Sequence, residues 1–197
     1  MHVAQGFGPD DLIDCYRRGV FPMSDNREDD FFYLVEPKLR GVLPLDAFHV
    51  SRSMQKFLRK TPLKVTVNTD FQSVIQACAL ERDNTWISLG IEGLYTLLHW
   101  RGEAHSVEVW EDDVLVGGLY GVTQGGAFFG ESMFSRRSNA SKLALIHLVE
   151  RLKERGFVLL DTQFLTAHLA SLGAIEISQA EYLEKLKLAL EIEACFD

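Results

Sequence analysis

Two short stretches place carboxylates and a carboxamide among apolar residues. They are Phe128-Phe129-Gly130-Glu131-Ser132-Met133-Phe134 and the Asp161-Thr162-Gln163 triplet. A carboxylate in an apolar β run is costly to bury unless it is paired or hydrogen-bonded, so Glu131 reads as the lining of a site. A surface strand end is the alternative. Asp161 and Gln163 stand two apart in an expected strand, so both side chains would leave one face. An amide is a very weak base, which suits Gln163 to positioning a reacting group rather than to taking its proton.

Positive charge is the second chemical signal. The chain is net acidic at −8, yet residues 37–64 carry seven basic side chains against one acid, Asp46. Binding responds to local field rather than to net charge, so such a stretch can hold phosphates; a solvated helix face is the plainer reading. Arg136-Arg137-Ser138-Asn139-Ala140-Ser141-Lys142 opens an expected long helix and is basic enough to meet phosphate there. Cys15, Cys78 and Cys195 are odd in number and far apart, as expected of reduced thiols. His49, His105 and His168 are read as hydrogen-bonding residues, and neither metal nor cofactor is expected.

The elements that would position these groups follow from periodicity and turn chemistry. Asp10 or Asp11 starts a first helix that Gly19 ends. Phe31 to Val35 reads as a strand and Ser51 to Lys60 as an amphipathic helix, with Thr61-Pro62 dividing a small N-terminal domain (1–61) from the remainder (62–197). Leu63 to Asn68 is an expected strand. Helices follow over Asp70 to Arg82 and Ile91 to Arg101. Ser106 to Trp110, Val114 to Val122 and Ala127 to Phe134 form an antiparallel meander through the turns Glu111-Asp112-Asp113 and Gln124-Gly125-Gly126. A helix from Ala140 to Arg155, a strand from Phe157 to Thr162, a short helix near Leu165 to Ser171, a strand near Ile175 and a helix from Glu181 to Ile192 complete the chain.

No apolar run reaches the ~20 residues a membrane span needs, and the start of the chain lacks a secretory pattern, so a cytoplasmic protein without membrane contact is expected. The element order resembles the GNAT acyltransferase fold, an α/β (α+β) domain with a mostly antiparallel central sheet flanked by helices. The spaced glycines of a coenzyme-A loop are missing from the helix entrance.

The residues also resemble one family, the leucyl/phenylalanyl-tRNA–protein transferases. The resemblance rests on Tyr16-Arg17-Arg18-Gly19-Val20-Phe21-Pro22-Met23, Glu36-Pro37 with Arg40, Ser51-Arg52-Ser53, Thr85-Trp86-Ile87 and Ala104-His105-Ser106-Val107-Glu108-Val109-Trp110. It continues through Leu115-Val116-Gly117-Gly118-Leu119-Tyr120, Gly130-Glu131-Ser132-Met133-Phe134-Ser135, Ala140-Ser141-Lys142, Asp161-Thr162-Gln163 and His168-Leu169 with Ser171-Leu172-Gly173-Ala174. It covers about Asp10 to Leu190. It implies transfer of leucine, and also phenylalanine or methionine, from aminoacyl-tRNA to the N-terminal lysine or arginine of a protein, in the N-degron route to degradation. The family implies a monomer.

An aminoacyl ester is already activated, so the reaction needs chiefly orientation of an amine, loss of its proton and stabilisation of the developing oxyanion. The resemblance makes Asp161, Gln163 and Glu131 the catalytic set. Gln163 would accept from the attacking amine, Asp161 would orient the amide or attract the cationic substrate, and Glu131 would attract a basic acceptor. Leu119, Met133, Leu145, Leu148 and Leu152 would form the pocket for the donor side chain, with Ser135 also binding substrate and Trp86 stacking on the terminal adenosine. Lys38, Arg40, Arg52, Lys56, Arg59 and Lys60 would grip the acceptor stem of the tRNA. Two rivals remain, an acyl-CoA-dependent GNAT N-acyltransferase and a non-catalytic adaptor for basic N-termini.

Overall fold

The computed structural model describes residues 6–81 and 84–197. Helix α1 (Pro9–Arg17) starts where Asp11 accepts the Gly8 N–H, and ends at Gly19, whose φ of +75° suits a residue without Cβ. Strands β1 (Phe21–Met23) and β2 (Tyr33–Val35) form a two-stranded ribbon, and β3 (Leu39–Val42) follows. Three serine or aspartate side chains cap helices, two of them, Ser51 and Asp70, at starts read from the sequence. Ser51 caps α2 (Arg52–Leu58); after β4 (Lys64–Val67), Asp70 caps α3 (Phe71–Leu80), and Ser88 caps α4 (Leu89–Trp100). The meander is β5 (Ala104–Glu111), β6 (Val114–Gln124) and β7 (Ala127–Ser135). Helix α5 (Ala140–Glu154), β8 (Leu159–Gln163), α6 (Ala167–Ala170), β9 (Ile175–Ser178) and α7 (Gln179–Leu190) complete the order.

Seven strands share one sheet in the order β4-β5-β6-β7-β8-β3-β9, every pair antiparallel except β7 with β8. Alternation of side chains sorts the core into two layers. Leu119 and Phe128 pack with α5 on one face, while Tyr120 and Phe129 pack with α1, α3 and α4 on the other. The architecture is therefore the mixed, largely antiparallel sheet flanked by helices that the sequence led us to expect. The division at Thr61-Pro62 does not part this sheet, because β3 lies between β8 and β9. Leu39-Arg40-Gly41-Val42 lacks an apolar alternation and is held by its neighbours rather than by its own pattern.

Two features of the sheet create the site. Pairing of β7 with β8 runs from Ala127↔Leu159 to Phe129↔Asp161 and stops, although both strands continue, so they part beyond that point. Each diverging arm also carries an extra residue. Gly121 faces Gly130 while Tyr120 faces Ser132, leaving Glu131 over; Val42 faces Asp161 while Gly41 faces Gln163, leaving Thr162 over. Such bulges re-aim side chains and tend to border functional sites.

Candidate active site

The parting strands border a cleft of about 330 Å³. Glu131 reaches its head from the β7 bulge. Its Oε1 accepts from Tyr16 Oη at 2.8 Å, and its Oε2 accepts from Tyr95 Oη at 2.9 Å and from Gln163 Nε2 at 2.8 Å. The two phenol oxygens lie 2.5 Å apart. Burial pushes the Glu131 carboxyl up to about 7, against the three hydrogen bonds that favour its charged form, and Asp161 adds to the rise. Burial, with the Glu131 charge, also holds both phenols well above the ordinary tyrosine range. Their hydrogens therefore stay on oxygen and serve the carboxylate.

Gln163 arrives from β8 with φ +61°, a left-handed backbone rare in a side chain of this size. Its N–H donates to Asp161 Oδ1 at 2.7 Å, which closes this turn locally. The same turn ends the strand alternation: Gln163 lines the cleft and Asp161 lies behind it, fully buried. The expected common face of the two side chains is thus lost to the bulge. Asp161 instead meets Arg40, whose Nε lies 2.9 and 3.1 Å from the carboxylate oxygens and whose Nη2 lies 2.6 Å from Oδ2; Tyr182 Oη donates to Oδ2 at 2.7 Å.

Arg40 is 1% exposed, donates to the Gly19 carbonyl, and lies between the rings of Phe21 and Tyr182, each centroid 4.6 Å away. Burial opposes its charge, but the adjacent Asp161 carboxylate prevails and raises the guanidinium above its usual pKa. This corrects two expectations. Arg40 is enclosed as the partner of Asp161 and does not face a nucleic acid, and Asp161 is neutralised out of reach of a substrate cation.

The remaining candidates divide cleanly. Trp86, Leu119, Met133, Leu145 and Leu148 line the cleft with Glu131 and Gln163. Leu152, two turns past Leu145, is wholly enclosed in the core. Ser135 is exposed at the end of β7, where its hydroxyl donates to the Arg137 carbonyl and accepts the Ser141 N–H at the start of α5. Neither borders the cleft. Lys38, Arg52, Lys56, Arg59 and Lys60 are exposed, as a phosphate-binding role requires.

The leucyl/phenylalanyl-tRNA protein transferase family model matches residues 42–187. A leucyl/phenylalanyl-tRNA–protein transferase from Hyphomonas neptunium is 54% identical over 193 residues, covering 96% of this chain and 75% of that protein. One from Caulobacter vibrioides is 56% identical over 187 residues, covering 93% and 86%. The chain belongs to this family. Among solved structures, FemX aligns with a TM-score of 0.55 at 12% identity, covering 89% of this chain and 68% of that one, a likeness of fold alone. No helix among the described residues of this transferase is long and apolar enough to cross a membrane.

Sequence reasoning missed several members of the transferase cleft. Tyr16 and Tyr95 come from α1 and α4, far from Glu131 in sequence, and each occupies a buried helix position that reads as ordinary core. Tyr182, which completes the Asp161 cluster, has the same disguise on α7. Phe164, Thr166, His168 and Leu169 form the wall beyond β8. The adjacency of His168 and Leu169 to the Asp161-Thr162-Gln163 stretch was the only available hint.

Trp86 packs its half-buried side chain against the core and is held by backbone contacts as well. Its carbonyl accepts the Ser24 N–H at 3.1 Å, and Arg27 donates to the next carbonyl, that of Ile87, at 3.1 Å. Arg27 is itself anchored by Glu92, which also accepts from Gln72 and Gln76.

Proposed function

We propose that the cleft transfers an aminoacyl group, leucyl and also phenylalanyl or methionyl, from tRNA to the α-amine of a protein whose first residue is lysine or arginine. The single observation that carries this reading is the Gln163–Glu131 bridge at the head of an apolar cleft. The bridge commits Nε2 of the amide to the carboxylate, so the carbonyl oxygen is the end left for an incoming N–H. An amine held there faces the ester carbonyl of a donor whose side chain occupies the space among Leu119, Met133, Leu145 and Leu148.

In the reaction the new C–N bond forms as the C–O bond to the ribose breaks. The amine gives up its proton, and the departing ribose oxygen gains one. Glu131, titrating near neutrality, supplies negative charge next to the acceptor when ionised. Asp161, Arg40 and Tyr182 are positioning residues, which act by fixing the turn that presents Gln163. The working unit we propose is a monomer. A donor made by translation's own synthetases supports action in the cytoplasm, and modification of basic N-termini supports a place in N-degron turnover.

The test is transfer of radiolabelled leucine from leucyl-tRNA to a protein beginning with Arg, beside the same protein N-acetylated. Transfer to the free amine alone is expected. Absence of transfer by folded protein would overturn the reading; acetyl-CoA turnover would then favour the N-acyltransferase, and binding of the basic N-terminus without turnover the adaptor.

A further inference from the structure

The helix entrance at residues 136–142 carries three cations, and the structure commits two of them elsewhere. Arg136 pairs with Glu81 and Arg137 with Glu111. Lys142 is left out of the ion pairs among the described residues. It is half-buried in the first turn of α5, three residues before Leu145, so the two share a helix face; Leu145 lines the cleft, which puts Lys142 at its rim.

His168, on α6, lines the same cleft and is half-buried, and its ring makes no hydrogen bond among the described residues. Burial first, and then the charge of Lys142, lower its pKa below the ordinary histidine value.

This rim is tied to the basic helix α2. The segment leading into that helix meets the turn after α6, where His49 N–H donates to the Leu172 carbonyl at 2.8 Å. At that junction Gly173 adopts φ +102°, and an added Cβ would lie 2.4 Å from the Ala47 carbonyl oxygen, so the two segments are in close contact. The lead-in to basic helix α2 is thus packed against the turn that follows α6, the helix that carries His168.

We propose that Lys142 and His168 bind the phosphodiester next to the terminal adenosine of the donor, linking the stem held on α2 to the ester held in the cleft. The site takes a phosphate of single-stranded RNA: the ammonium supplies charge, and the imidazole N–H donates one hydrogen bond. The inference rests on the transferase reading above.

Three leucine donors separate its outcomes: leucyl-tRNA, leucylated cytidylyl-(3′→5′)-adenosine with one internal phosphate, and 3′-O-leucyladenosine with none. Lys142→Ala is expected to raise KM about fivefold for the two phosphate-bearing donors, as loss of one charge-assisted contact would. KM for leucyladenosine and kcat for all three should stay within about twofold. Lys142→Arg should restore KM, His168→Ala should raise KM for the two phosphate-bearing donors more than for leucyladenosine, and the salt dependence of tRNA binding should fall by about one phosphate contact in Lys142→Ala. Equal changes for all three donors, or unchanged KM for the dinucleotide donor, would overturn the site while wild-type transfer from leucyl-tRNA upheld the transferase. Failure of wild type with leucyl-tRNA would remove both.

Discussion

Gln163 Nε2 donates to Glu131 Oε2 at 2.8 Å across the gap where β7 and β8 part, so two strand bulges meet through one hydrogen bond. The bond orients the amide. Gln163→Ala should therefore lower the rate of transfer about 100-fold, in the range for losing one preorganised polar contact at a reacting centre, while KM for leucyl-tRNA stays nearly constant. Steady-state kinetics with acceptor and donor varied separately would check this; a variant transferring at wild-type rate would remove Gln163 from the chemistry.

Glu131 sets the pH behaviour. Its folded pKa of about 7 lies above the ordinary 4.5, so between those values the folded chain holds more protons than the unfolded one. Stability contributed by this group is present below 4.5, is lost as pH rises through the window, and is fully lost above 7. Thermal melts of wild type and Glu131→Gln at pH 5 and pH 8 should diverge, with the variant gaining relative to wild type at the higher pH. Transfer should also lose the wild-type limb centred near pH 7 in this variant. A constant difference in melting temperature across that range would contradict the assignment.

Arg40 stabilises the fold and leaves the tRNA alone. Removing one member of a buried ion pair typically costs ~3–5 kcal/mol, so Arg40→Met should lower the urea midpoint sharply while the folded fraction keeps the wild-type salt dependence of tRNA binding. A reduced salt slope with unchanged stability would return Arg40 to the nucleic-acid surface.

The exposed face of α2 should behave in the opposite way. Lys56→Glu with Arg59→Glu ought to raise KM for leucyl-tRNA at least tenfold at low salt, with a shallower salt slope and little change in melting temperature. Equal KM for the two proteins at low salt would place the acceptor stem elsewhere.

How much of this could be read beforehand depends on where each signal lies. The caps at Ser51 and Asp70, the two meander turns and the Glu131 bulge strand announce themselves through local chemistry. Arg40 does not. It follows the exposed Lys38 and Leu39, and only the pairing of β3 between β8 and β9 carries it inward to Asp161. Strand periodicity also misplaced Asp161, because a left-handed residue at Gln163 and an extra residue at Thr162 are set by tertiary pairing rather than by a local pattern. Tyr16, Tyr95 and Tyr182 converge on two carboxylates from three helices, and nothing in a helical stripe tells a hydrogen-bonding phenol from a core ring.

Met133 offers a direct probe of the donor pocket. It is half-buried on β7 and lines the cleft opposite Leu145 and Leu148 of α5, so enlarging it intrudes on the space for the donor side chain without disrupting the fully buried core. A few added carbons in an apolar pocket change discrimination by ~1–3 kcal/mol, roughly 10- to 200-fold in kcat/KM. Met133→Phe should therefore shift competition between leucyl-tRNA and phenylalanyl-tRNA toward leucine by at least tenfold, because the larger ring loses more room than the smaller isobutyl group. Mixed donors carrying different isotopes, with the ratio of labels read on one acceptor protein, would measure the shift. An unchanged ratio would mean that the donor side chain lies elsewhere than between β7 and α5.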